Sequence, residues 1–259
     1  MKNVALITGA SSGIGKELAI IHAEKKGDMV LIARSADKLN ALKIELEQKF
    51  GIKVYVIVKD LSQREAVQEI YEELQQKGIA VEYLINNAGF GGLGQFAERD
   101  WKTDEEMIHL NIRALTALCR IFLPDMIKRN SGRILNVSST ASLMPGPLQA
   151  VYFASKAYVT SFSNALSEEL SNTKVTVTAL LPGATATEFG AVSGMDKTEM
   201  FKKTFPARGV AEDGYNAMMK GTLNKITGMS FSQKLTMSLI PLIPTKFIIK
   251  MVKKMQAVK

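Results

Sequence analysis

The sequence predicts an α/β fold, three layers deep, in which helices wind over both faces of a mostly parallel sheet. Two observations predict it. Short runs rich in Val, Ile and Leu alternate with longer stretches whose apolar residues recur every three or four positions. Several of the short runs are continuously apolar, as suits strands covered on both faces. Val4–Thr8, Met29–Ala33, Val54–Val58, Tyr83–Asn86, Arg133–Val137 and Val175–Leu181 read as strands. Helical spacing runs through Gly13–Lys26, Asp37–Phe50, Ser62–Gln76, Thr103–Lys128 and Val151–Ser171. A doubly wound sheet takes its ligand at the carboxyl ends of its strands, so the loops after the strands are where a site belongs.

The 259 residues, 46% of them apolar, suffice for a full core in one domain spanning residues 1–259. A lone cysteine, Cys119, excludes an internal disulfide framework, and His22 and His109 offer no ligand cluster with it, so no metal is expected. A reducing, cytoplasmic setting follows as the expectation. Val4–Ile7 is too short for a signal-peptide core, and no run approaches the roughly 20 apolar residues of a membrane span. The net charge of +8 is unevenly placed: residues 214–259 hold eight lysines and no acid, while the first 213 residues are balanced. Nucleic-acid binding explains that tail poorly, because no recognisable module accompanies it.

The first strand runs into Thr8-Gly9-Ala10-Ser11-Ser12-Gly13-Ile14-Gly15 and directly into a helix. Glycines at 9, 13 and 15 permit a tight turn and close approach of backbone N–H groups to a pyrophosphate. The strand–loop–helix context is what a dinucleotide site demands. At the end of the second strand a carboxylate would bond a ribose 2′-hydroxyl. The chain has Ala33-Arg34-Ser35 instead, and Arg34 suits a 2′-phosphate, which favours NADP(H). Asp60, with Leu61 after it, is placed either to accept from an adenine amino group or to cap the helix that follows. Asn86-Asn87-Ala88-Gly89 closes the fourth strand with small and amide side chains that let a cofactor pass close, Asn86 tying neighbouring strands together. Asn111 lies inside a helical pattern that it serves poorly. It is solvated, satisfied in the core, or opens a helix carbonyl to a water.

Ser138 and Ser139 end the fifth strand, and Tyr152 and Lys156 follow four residues apart. On a helix that spacing stacks phenol and ammonium on one face. For Tyr152 to exchange protons near neutrality its pKa must come down by roughly 3, about 4 kcal/mol of preference for the phenolate, and a nearby cation is one way to achieve it.

Together TGASSGIG (8–15), NNAG (86–89), Asn111, Ser139, YFASK (152–156) and Pro182-Gly183 followed by Thr187 resemble the short-chain dehydrogenase/reductase family. The resemblance implies a Rossmann-type fold and a catalytic set of Asn111, Ser139, Tyr152 and Lys156. It implies reduction of a carbonyl to an alcohol, or the reverse. Tyr152 would give the proton and Ser139 orient the oxygen. Lys156 would lower the Tyr152 pKa and bond the nicotinamide ribose, and Asn111 would hold a water that refills the proton. The expected cofactor contacts are Gly9, Ser11, Ser12, Gly13, Ile14, Gly15, Arg34, Asp60, Leu61, Asn87, Ala88, Gly89, Tyr152, Lys156, Pro182, Gly183, Thr185 and Thr187. Dimers or tetramers are usual in such a family.

Residues 188–212 are expected to form a lid. Phe189, Met195, Met200, Phe201 and Phe205 are its candidate apolar walls, with Met144, Leu148 and Phe90 facing them, which suits an apolar ketone, aldehyde or acyl-chain substrate. Residues 229–259 form a basic extension in which Phe247, Ile248, Met251, Val252 and Met255 mark one apolar stripe. Such a helix lies on an anionic membrane, docks on a second subunit, or packs on its own domain. A catalytically silent NADP(H) sensor is the alternative to an enzyme, though loss of catalysis would more naturally remove Ser139, Tyr152 or Lys156. A sugar-nucleotide epimerase would need a larger substrate domain.

Overall fold

The computed structural model describes residues 1–257; Lys259, one of the eight tail lysines, lies outside the described residues, as do the side chains of Met200, Phe231, Lys234, Ser238 and Pro241. Strands β1 (Val4–Thr8), β2 (Met29–Ala33), β3 (Val54–Val58), β4 (Val81–Asn86), β5 (Gly132–Val137) and β6 (Val175–Pro182) match the expected runs to within two residues at each end. Intervening helices are α1 (Gly13–Glu24), α2 (Ala36–Phe50), α3 (Ala66–Gln76), α4 (Trp101–Ile108), α5 (Leu115–Arg129) and α6 (Ala150–Glu169).

Beyond these come β7 (Thr185–Ala186), α7 (Phe189–Ser193), β8 (Phe205–Pro206), α8 (Ala207–Lys220), β9 (Asn224–Thr227), α9 (Phe231–Leu239) and α10 (Thr245–Gln256). Seven strands form one sheet in the order β3-β2-β1-β4-β5-β6-β9, and each neighbouring pair is parallel. β7 and β8 pair separately. The chain winds outward from β1 to β3 and then returns to place β4 beside β1. The crevice for a ligand therefore opens between the carboxyl ends of β1 and β4.

Period-two alternation sends successive strand side chains to opposite faces. Leu6, Ile32, Leu84, Ile134 and Val177 join α3, α5 and α6 on one side, while Ile7, Leu31, Ile85, Leu135 and Leu180 join α1, α2 and α8 on the other. A third apolar cluster gathers Met107, Ala141, Tyr152 and Phe153 under Ile240, Ile248 and Val252.

Three expectations are corrected. α3 starts at Ala66 rather than Ser62, because Asp60 Oδ1 accepts from the Ser62 N–H and hydroxyl and holds that stretch in a turn. The expected lid ends early: residues 207–212 belong to α8, which packs on α1, and Phe205 lies against the core beneath α8. In the tail, the buried face of α10 is Ile248, Val252 and Gln256, whereas Phe247 and Met251 are exposed. An amide turns inward there because Gln149 offers it a hydrogen bond. Among the described residues no helix is long and apolar enough to cross a membrane.

Candidate active site

α6 carries the phenol and the ammonium. Tyr152, Phe153, Ser155, Lys156, Val159, Ser163 and Leu166 form its buried face. This register brings the Lys156 Nζ to 5.9 Å from the centre of the Tyr152 ring, where it donates to the Val137 carbonyl at 2.9 Å. Ser139, extended at the end of β5, donates to the Pro182 carbonyl at 3.4 Å and lies close enough to the Tyr152 hydroxyl to pull its pKa down. Its Oγ also accepts from the Ala141 N–H at 3.1 Å.

Burial pushes the phenol up to about 12, against the pull of the Ser139 hydrogen bond, and brings the Lys156 ammonium down to about 8. The downward shift expected of Tyr152 is therefore absent in this state. Both groups are dry, and Nζ stands 5.9 Å from the ring centre, so desolvation outweighs attraction.

Asn111 is satisfied in the core. It lies in a π-helical turn, His109–Ala114, between α4 and α5, the kind of irregularity found at functional sites. Its Oδ1 accepts from the Phe90 N–H at 3.1 Å, and its Nδ2 donates to the Phe90 carbonyl at 2.9 Å and to Ser155 Oγ at 3.1 Å. The amide thus ties the loop after β4 to the helix of Tyr152. Ser138 points elsewhere, donating to the Lys156 carbonyl and pairing with Thr160.

The glycine-rich loop meets β4 at the switch point. Thr8 Oγ1 accepts from the N–H groups of Asn87 and Ala88, both at 3.0 Å, and Asn87 Nδ2 donates to the carbonyls of Thr8 and Gly9. A Cβ at Gly9 would stand 2.9 Å from Ala88 Cα, and one at Gly15 would overlap the Gly9 carbonyl oxygen. At Gly13 it would meet Thr187 at 2.8 Å, so the segment after β6 closes on the same loop.

Ser12 caps α1 without a side-chain bond to the first turn, and no acid lies in that turn. Those N–H groups remain available to an anion. The cradle fits the pyrophosphate of a dinucleotide.

Arg34 is exposed at the end of β2. Burial works to raise the Asp60 carboxyl, but the Ser62 bonds and the charge of Arg34 outweigh it and hold the carboxyl below its ordinary value. Asp60 thus closes a local turn rather than capping a helix, and the Leu61 side chain packs into the core. Lys38, one turn along from Arg34, pairs with Glu188 at 2.7 Å. Thr185 bonds the Gly183 carbonyl and Thr187 accepts from the Phe189 N–H, which shapes the turn after Pro182.

Of the expected apolar walls, Phe189 lies tilted with its ring centre 5.4 Å from that of Tyr152, Phe201 stacks at 6.3 Å from Phe189, and Phe90 and Met144 join the same cluster. Met195 is buried against Gln149. The side chain of Met200 lies outside the described residues. Leu148 lines a cavity of about 20 Å³ together with Phe96, Gln149, Val151 and Tyr152.

Sequence reasoning missed two features there. Arg99 grips the buried Asp104 through Nε and Nη2 at 2.9 and 2.6 Å, and Gln149 meets Gln256 at 2.9 Å. The five-residue Arg–Asp spacing is a local signal for the first. The second joins residues 107 apart and leaves no local trace.

Comparison with known proteins gives a consistent result. A family model described as short chain dehydrogenase matches residues 3–198. A very-long-chain 3-oxoacyl-CoA reductase of Anas platyrhynchos is 31% identical over 229 residues, covering 85% of this chain and 71% of its own. Sulfoacetaldehyde reductase 2 of Chromohalobacter salexigens is 36% identical over 222 residues, covering 82% and 85%. Among solved structures, a short-chain dehydrogenase from Sphingobium yanoikuyae in complex with NADPH superposes with a TM-score of 0.82 at 29% identity, over 93% of this chain and 96% of that one.

Proposed function

The chain belongs to the short chain dehydrogenase family of oxidoreductases, and we propose that it reduces a carbonyl to an alcohol, or runs the reverse, with NADP(H) on an apolar ketone, aldehyde or acyl-chain substrate. The observation that carries this reading is Tyr152 and Lys156 buried together on one face of α6, with the partly buried Ser139 at the end of β5 beside the phenol.

NADPH, when bound, supplies the hydride. Gly9, Ser11, Ser12, Gly13, Ile14 and Gly15 would hold its pyrophosphate, Arg34 its 2′-phosphate, and Asn87, Ala88 and Gly89 its flank. Asp60 and Leu61 would line the adenine end, with Pro182, Gly183, Thr185 and Thr187 closing over the nicotinamide. Tyr152 holds its proton throughout the working pH range, since burial raises its pKa, and delivers it to the carbonyl oxygen. Ser139 orients that oxygen through its hydroxyl. Lys156 places positive charge beneath the ring. The Asn111 side chain is committed to Phe90 and Ser155, so the water that refills the proton through Lys156 would meet its backbone.

The NADPH complex of the Sphingobium relative supports the cofactor choice. The aromatic and methionine wall around Tyr152, together with the acyl-CoA reductase named among the relatives, supports an apolar substrate over a small polar aldehyde. We place the protein in the cytoplasm as a homodimer or homotetramer, with peripheral membrane contact through its basic C-terminal helix.

Fluorescence titration with NADPH and NADH, followed by a carbonyl panel, tests this. The expected result is tighter binding of NADPH, a loss of at least about tenfold in Arg34→Ala, and turnover of apolar carbonyls. Preference for NADH would overturn the cofactor assignment. Binding without turnover would favour the silent sensor.

A further inference from the structure

The C-terminal segment has two faces that point to different tasks. Its inner face covers the site. Ile248, Val252 and Ile240 pack in the cluster that contains Tyr152, and Gln256 Oε1 accepts from Gln149, three residues before Tyr152. That dock is imperfect: Gln149 Oε1 and Gln256 Nε2 are both buried without a partner, an unfavourable arrangement that leaves the helix ready to lift. Tyr152 is only 9% exposed in the cluster that Ile240, Ile248 and Val252 complete, so lifting that segment would widen access to the phenol.

The outer face is built for a different contact. Lys246, Lys250, Lys253 and Lys254 are exposed on α10, and among the described residues none of them makes an ion pair. Phe247 stands 63% exposed beside them, and the preceding stretch exposes Leu235, Leu239 and Leu242, the last at 80%. No acid occurs from residue 214 onward. Exposed apolar side chains interspersed with unpaired lysines match a bilayer surface bearing anionic headgroups, where the lysines meet the headgroups and the apolar groups enter the acyl boundary.

Building on the carbonyl-reductase reading, we propose that residues 231–256 form a two-faced lid. Its outer face docks on an anionic bilayer, and docking lifts its inner face from Tyr152 so that an apolar substrate enters from the membrane.

The test uses the full chain with vesicles of phosphatidylcholine alone or with roughly 30 mol% phosphatidylserine. Cosedimentation should be at least about tenfold stronger with the anionic vesicles, fall at 0.5 M salt by about as much, and be lost when the four lysines of α10 become glutamine. Leu242→Ser with Phe247→Ser should weaken binding while leaving its charge dependence. Amide exchange across residues 150–156 should quicken on anionic vesicles only, and NADPH turnover of a water-soluble apolar ketone should rise severalfold with it.

Equal binding to both vesicles, or full binding by the lysine variant, overturns the docking. Binding without faster exchange overturns the opening. Because sedimentation and exchange read no catalysis, an absence of turnover under every condition would refute the enzymatic reading and leave the lid to be judged separately.

Discussion

Replacing Asn111 with alanine tests whether the π-turn amide acts as a structural tie. Asn111 is 1% exposed and makes three hydrogen bonds. Alanine leaves the N–H and carbonyl of Phe90 without partners. Phe90 is only partly buried, so each costs about 1 to 1.5 kcal/mol, near the lower end for an unmade bond. Ser155 loses less, because its hydroxyl still donates to the Tyr152 carbonyl at 2.7 Å. Alanine's better helix propensity returns about 0.6 kcal/mol. The net loss is about 2 kcal/mol, which lowers the melting temperature by about 4–8 °C for a chain of this size. Differential scanning calorimetry of wild type, Asn111→Ala and Asn111→Asp reads it. The aspartate keeps the acceptor for Phe90 N–H and loses both donors, so it should not restore the wild-type value. A shift below about 1 °C in the alanine variant would show that the Phe90 loop does not depend on this amide.

Three further outcomes follow from the site's geometry. Gly15→Ala places a Cβ against the Asn87 amide and overlapping the Gly9 backbone carbonyl, which cannot retreat without moving the loop that follows β1; NADPH affinity should fall by more than about tenfold, and an unchanged titration would remove the loop from the site. Lys156 titrates near 8 in the folded chain and 10.5 when unfolded. The unfolded chain therefore binds more protons between those values, and stability rises with pH across that window. Relative to Lys156→Met, wild type should gain about 3 kcal/mol from pH 8 to 10.5 in urea unfolding. Carbonyl reduction should decline above about pH 8 as the ammonium loses its charge. A pH-independent stability difference would mean that Lys156 is not dry.

The sheet was legible because its strands are continuous apolar runs and its helices hold a clean three- and four-residue spacing. β1, β2 and β3 lie where the runs lie. The Tyr152–Lys156 face was legible for the same reason, since helical periodicity alone stacks the two. Their proton affinities were not, because desolvation depends on residues far along the chain, including Phe189, Ile248 and Val252. The start of α3 was hidden by Asp60, whose side chain competes for the N–H that would have opened a helix. The orientation of α10 was hidden too. Its wheel offers an apolar stripe through Phe247 and Met251, yet the packed face carries Ile248 and Val252 with Gln256, whose partner Gln149 lies 107 residues earlier and leaves no local trace.

The most direct measurement is a comparison of Tyr152→Phe with wild type, using NADPH binding and single-turnover carbonyl reduction on the same preparations. Removing only the hydroxyl leaves the ring contacts with Phe153 and Phe189 in place. If Tyr152 is the proton donor, NADPH binding stays within about twofold while reduction falls by at least about 100-fold. Undiminished reduction in that variant would contradict the assignment of the proton to Tyr152.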